Sequence, residues 1–195
     1  MNEHVKWPKT PRYFRDITIT EKIDGTNGQI VIQEEALFDE MVDPKPLITL
    51  DGFVMWAGSR KRYVYSGNDN YGFAKWVLDN AAELTALGPG RHYGEWWGVG
   101  IQRAYGLNER RFSLFNTTKW YDNEVRPSCC DVVPVLYSGP HSMKKITQTI
   151  GWLQHLGSMA APGFMRPEGI CIFHTAANAI FKMTIENDEM PKGKV

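Results

Sequence analysis

The sequence predicts an α+β fold of antiparallel sheets with helices packed outside. Two observations carry that expectation. Short runs rich in β-branched and aromatic residues recur between Gly, Pro, Asn and Asp turns, and two segments place apolar residues at helical spacing.

Taken in order, ITITEKI and GQIVIQ (17–23 and 28–33) read as strands around a DGTN turn, which puts Lys22 near a strand end at the rim of a sheet. FVMWAGS (53–59) is a third strand. From Tyr71 to Leu87 the residues Phe73, Trp76, Val77, Leu84 and Leu87 mark a helix, with Asn70 as a possible cap and Gly88-Pro89 as a stop. RHYGEWWGV (91–99), RFSLFN (111–116) and VVPVLY (132–137) are further strands. A second helix runs from Ser142 to Leu156, with Ile146, Ile150 and Leu153 on one face and Gly157 as terminator. GICIFH (169–174) and AIFKMTI (179–185), joined by TAAN, form a hairpin that sets Glu168 and Lys182 on neighbouring strands.

A chain of 195 residues with 43% apolar and 12% aromatic content can bury a sizeable core, and no repeat or long linker interrupts it, so one domain over residues 1–195 is expected. The 22 basic and 22 acidic residues cancel. A nucleic-acid partner would therefore have to meet a local basic surface. Cys129 and Cys130 are adjacent and Cys171 sits in an apolar run, so neither a disulfide framework nor a zinc spacing is present. No apolar run approaches the roughly 20 residues that span a bilayer, and the start lacks a secretory pattern. These features point to a soluble, cytoplasmic, monomeric protein with no membrane partner.

The chemistry concentrates in EKIDGTN (21–27), where one lysine stands among two carboxylates, a glycine and two small polar residues. By itself K-x-D-G is a short pattern that also describes a solvated hairpin turn. Its downstream order adds weight: GSRKR (58–62), GEWWG (94–98), FSLFN (112–116), PEGICIF (167–173) and FKMT (181–184) each set a charged or aromatic residue in a strand-like context. Together they resemble the covalent nucleotidyltransferase superfamily. Asn27, where capping enzymes and DNA ligases usually carry arginine, makes the chain most similar to ATP-dependent RNA ligases of the phage and RNA-editing type. The resemblance spans residues 21–184 and implies a nucleotidyltransferase (adenylation) domain without the separate C-terminal domain of many ligases.

That resemblance implies ATP as donor, Mg2+ or Mn2+ as metal, and RNA 5′-phosphate and 3′-hydroxyl ends as partners. Lys22 would attack the α-phosphate and carry AMP, splitting one difficult joining reaction into easier steps. Glu21 would border the adenine, Asn27 the phosphates or RNA end, and Arg60 the ribose and phosphate. Strand alternation would put Lys61 on the face opposite Arg60. Glu95 would take the ribose hydroxyls, Phe115 would stack on adenine, and Glu168 would hold the metal. Lys182 would contact the α-phosphate. The family commonly shows Lys-x-Lys here, and this chain has Thr184 at the second place, with Lys192 or Lys194 as possible substitutes. Asp24 shapes the turn with Gly25, and Trp7, Arg12, Lys61, Arg62 and Arg103 are candidates for an RNA surface. Two rivals follow from the same residues: a DNA-joining or capping enzyme, disfavoured by Asn27, and a nucleotide- or RNA-end-binding module without catalysis, disfavoured because binding needs no nucleophile.

Overall fold

The computed structural model describes residues 3–41 and 43–189. Strands β1 (Asp16–Lys22), β2 (Thr26–Glu34), β3 (Ile48–Leu50), β4 (Phe53–Gly58) and β5 (Tyr63–Val64) precede α1 (Phe73–Asp79), α2 (Ala81–Leu84) and β6 (Gly90–Gly98). They are followed by β7 (Arg110–Leu114), α3 (Thr117–Trp120), β8 (Cys130–Val132), β9 (Val135–Pro140), α4 (Met143–Leu156), β10 (Gly169–His174) and β11 (Ala179–Thr184). The fold is α+β, and the described chain divides into two compact units. One holds residues 3–22, 135–157 and 165–189; the other holds 23–41, 43–134 and 158–164.

In the first unit a four-stranded antiparallel sheet runs in the order β11-β10-β1-β9. Alternation along β1 and β10 buries Ile17, Ile19, Ile170 and Ile172 on one face, where Ile146 and Leu153 of α4 cover them. Each such aliphatic side chain contributes about 1.5–3 kcal/mol. The helix forms where expected. Ser142 Oγ accepts from the Lys145 N–H at 3.4 Å, and Gly157, at φ 85°, ends it by donating to the Leu153 carbonyl. The β10–β11 hairpin also forms, in a register from Gly169↔Thr184 to His174↔Ala179.

In the second unit the sheet order is β3-β4-β2-β6-β7-β8, with β5 on β4. Ile30, Ile32, Met55, Trp96 and Phe112 line its core face against Phe73, Ala74 and Val77 of α1. The Phe73 ring lies 5.1 Å from Phe112 and 5.5 Å from Trp96 between centroids, tilted against both. One pair departs from the antiparallel expectation: β7 and β8 are parallel.

Other departures have local causes. DGTN does not close a hairpin, because β1 pairs with β9 and β10 whereas β2 pairs with β4 and β6. VVPVLY splits at Pro134, which has no N–H to give a ladder, and β8 and β9 join different sheets. The helix over 71–87 breaks at Asn80, whose side-chain amide donates to the Trp76 carbonyl at 2.7 Å. Its start is capped by Asp69, which accepts from the Ala74 and Lys75 N–H groups, while Asn70 donates to Thr26 Oγ1 instead. Cys129, Cys130 and Cys171 are not in disulfides, and no helix among the described residues is long and apolar enough to cross a membrane.

Two stability predictions follow from these contacts. A Cβ at Gly169 would collide with the Met183 carbonyl oxygen across the hairpin, so Gly169→Ala should cost about 1–3 kcal/mol in chemical denaturation. Burial of His92, whose Nε2 meets the Gly88 carbonyl at 2.9 Å, pushes its pKa below the ordinary 6.5. The unfolded chain then binds more protons, so the stability linked to neutral His92 is present above that value and is lost as pH falls below it. Between about pH 7 and pH 5 the Tm of the wild type should fall more steeply than that of His92→Gln.

Candidate active site

In the first unit the alternation of β1 places Lys22 with Thr18 and Thr20, on the face opposite the α4-packed isoleucines. Lys22 stands opposite Gly169, and Gly169 stands opposite Thr184; one row along, Thr20, Cys171 and Lys182 line up in the same way. Lys22 and Lys182 therefore share one face of the sheet. Gly169 leaves the row open where a side chain would not fit, and Glu168 just before it meets the lysine: Lys22 Nζ lies 2.6 Å from Glu168 Oε2. The Lys22 side chain is 19% exposed and that of Glu168 4%. The Glu168 carbonyl accepts from the Ile185 N–H at 2.9 Å, which anchors its backbone to the chain just past β11.

One expectation changes in this unit. Glu21 is 1% exposed and shares the face of Ile17 and Ile19. Its side chain thus does not border a nucleotide on the Lys22 face, because one residue along a strand reverses direction. Thr184, at the place of the second lysine, holds a turn: its N–H donates to Asp188 Oδ1 at 2.8 Å, and its hydroxyl reaches the Glu186 carbonyl at 2.9 Å. Lys192 and Lys194 lie outside the described residues.

In the second unit Asn27 and Glu95 are cross-strand partners on β2 and β6. Glu95, 9% exposed, accepts from the Gly25 N–H at 3.0 Å through Oε1 and from Asn27 Nδ2 at 3.3 Å through Oε2. Gly25 is required here because a Cβ would sit 2.5 Å from the Trp96 carbonyl oxygen. The Asp24 N–H donates to the Tyr105 hydroxyl at 2.7 Å, and Arg103 Nε donates to Asp24 Oδ2 at 3.1 Å. Alternation sets Asn27, Tyr93 and Glu95 on the sheet face away from the Phe73 and Trp96 core. Phe115 follows β7 directly; it is 39% exposed, and its N–H donates to the Tyr93 carbonyl. Phe112 is a core residue.

Arg60 does not lie in a strand. Residues 59–62 form the turn between β4 and β5, closed by the Ser59 N–H donating to the Arg62 carbonyl at 2.8 Å, so alternation does not separate Arg60 from Lys61. Arg60, Lys61 and Arg62 are exposed there, as are Trp7 and Arg12 before β1. Arg103, expected on an RNA surface, is committed to Asp24.

No motif in the sequence marks Tyr105 or pairs Arg103 with Asp24. Arg103 and Tyr105 lie in a loop where Gln102, Ala104 and Tyr105 all take positive φ, a strained path that holds both side chains toward Asp24. Gly98, Gly100 and Gly106 signal a tight loop in the sequence, but nothing in it names Asp24 as the partner.

The Glu95 contacts make a prediction separable from chemistry. Glu95→Ala strands the Gly25 N–H and should cost about 1–3 kcal/mol. Glu95→Gln keeps an acceptor and should cost less, and comparison of the two denaturation midpoints checks it.

A family model described as RNA ligase matches residues 15–184. No curated protein matches the sequence. Among solved structures, a Naegleria gruberi RNA ligase variant with AMP and Mn superimposes with a TM-score of 0.60 at 14% identity, covering 87% of this chain and 49% of that one. A second variant of that ligase, with ATP and Mn, gives 0.59 at 14% identity over 88% and 50%. A third, without ligand, gives 0.58 at 15% over 87% and 49%. At these identities the likeness is one of fold, and the chain spans about half the length of those structures. The family match covers most of the sequence, from β1 to the end of β11, and by it the chain belongs to the RNA ligase family.

Proposed function

We propose that this chain is an ATP-dependent RNA ligase that joins 3′-hydroxyl and 5′-phosphate ends through an AMP carried on Lys22. The observation that carries the reading is the 2.6 Å contact between Lys22 Nζ and the buried Glu168 carboxylate, on a sheet face that also presents Lys182. Membership in the RNA ligase family supports it.

A lysine amine attacks only as the free base, so the ion pair with Glu168 holds Lys22 in a resting form that must open before reaction. Lys22 Nζ then attacks the α-phosphorus of ATP; a P–N bond forms, the bond to the bridging oxygen breaks, pyrophosphate leaves and the nitrogen gives up its proton. An RNA 5′-phosphate oxygen next attacks the same phosphorus, the P–N bond breaks and the lysine is restored. The RNA 3′-hydroxyl finally attacks the activated 5′-phosphate, and AMP leaves. Each displacement depends on positioning and on offsetting negative charge, which Lys182 can supply from the shared face.

Glu168 suits Mg2+ or Mn2+, hard ions that can take their remaining ligands from phosphates and waters. No group of three His, Cys, Asp or Glu among the described residues could hold an ion alone, so a cation shared with substrate is the type that fits. When bound, such an ion neutralises charge on the phosphates. On the second unit, Asn27, Glu95 and the exposed Phe115 offer a polar pair and an aromatic surface on one sheet face, which suits a ribose and a purine. Arg60 in its turn is free to reach phosphate. Three cysteines outside any disulfide fit a reducing, cytoplasmic setting.

Incubation with ATP and Mg2+ followed by intact-mass measurement should give an AMP adduct on the wild type and none on Lys22→Ala. Glu168→Ala should slow adduct formation by about a hundredfold or more. An adduct that persists in Lys22→Ala would remove the proposed mechanism.

A further inference from the structure

Farther along the face that carries Asn27 and Glu95, the second unit opens into a cavity of about 270 Å³. Val31, which lines it, lies four residues beyond Asn27 on β2, roughly 13 Å at the rise of a strand. The even spacing keeps both residues on one face. Trp56 lies among its lining residues, and its orientation is fixed. The indole N–H donates to the Pro44 carbonyl at 2.8 Å, and the Phe38 ring meets it edge-on with centroids 5.6 Å apart. The volume falls below the roughly 300 Å³ at which drug-sized pockets begin, so one planar ring system is the size that fits.

The rest of the lining selects among rings. Arg91, Asp39 and Asp43 border the cavity, and among the described residues neither Arg91 nor Asp43 is in an ion pair. A guanidinium and carboxylates that do not neutralise each other offer donors and acceptors together, the pattern a nucleobase edge presents in reverse. Carboxylates accept from the exocyclic amino groups of adenine, cytosine and guanine, and they repel the carbonyl oxygens of uracil. Tyr63 also lines the cavity and follows the turn that carries Lys61, an exposed cation able to meet a phosphate backbone, while Arg62 donates to the Tyr63 and Asn68 carbonyls.

We propose that this cavity is a subsite for one amino-bearing base of the RNA strand, at a distance along the sheet from the nucleotide residues; the proposal rests on the RNA-ligase reading. Fluorescence anisotropy with labelled RNA hexamers that carry a 5′-hydroxyl and a 3′-deoxy end, and so cannot be joined, tests it. Oligo-C should bind about tenfold more tightly than oligo-U. Arg91→Ala should weaken both, and Asp43→Ala should narrow the difference between them. Equal affinity of the two hexamers for the wild type, or a preference that survives both substitutions, would overturn the subsite. AMP loading of the same wild-type protein is read separately. Loading without base preference removes the subsite and keeps the ligase reading, and base preference without loading does the reverse.

Discussion

The contact on which the rest depends is an ammonium and a carboxylate 2.6 Å apart at the end of β1, with the carboxylate almost wholly removed from water. A pair of this kind is a weak source of stability, because withdrawing both charges from solvent costs several kcal/mol per ion, which their attraction must offset. The backbone holds it in place. Six consecutive residue pairs align β1 with β10 and end at Lys22↔Gly169, while β11, on the other side of β10, carries Lys182. A one-residue slip would turn Lys22 into the isoleucine core and bring Glu21 to its place. The register of one strand pair therefore decides which of two adjacent charged residues faces away from the isoleucine core.

Directly after Lys22 the chain passes from a ladder into a different kind of restraint. Asp24 and Gly25 have no strand partner, and their N–H groups are taken by the Tyr105 hydroxyl and the Glu95 carboxylate. Arg103 holds the Asp24 side chain from the same strained loop as Tyr105. The six residues from Lys22 to Asn27 thus combine a lysine fixed by main-chain pairing with a turn fixed by side chains. Glu95 accepts from the Gly25 N–H and from Asn27 Nδ2.

Much of this was legible in the sequence where local pattern and global fold agree. α4, with its Ser142 cap and Gly157 stop, and the β10–β11 hairpin follow from periodicity and turn chemistry alone. Motif order singles out Lys22 and Glu168, but their direct contact is not legible in it. Failures fall where long-range pairing overrides a local signal. Asp24-Gly25 looks like a hairpin turn, but β2 finds its partners in β4 and β6. Asn80 interrupts a helix whose apolar spacing continues across it, by offering its own amide to a carbonyl. Arg60 reads as part of a strand in the run FVMWAGSRKR, yet the backbone turns at Ser59. The Arg103–Asp24 pair spans 79 positions, a separation that no local rule reaches.

The central claim is that Lys22 is the carrier of AMP and not a structural partner of Glu168. The most direct measurement is sealing by Lys22→Ala of an RNA whose 5′ end is already adenylated, beside the same variant given ATP and a 5′-phosphate RNA. A carrier role predicts that the variant joins the pre-adenylated end and fails on the phosphorylated one. Loss of both reactions in a folded variant, or retention of ATP-dependent joining, would contradict it.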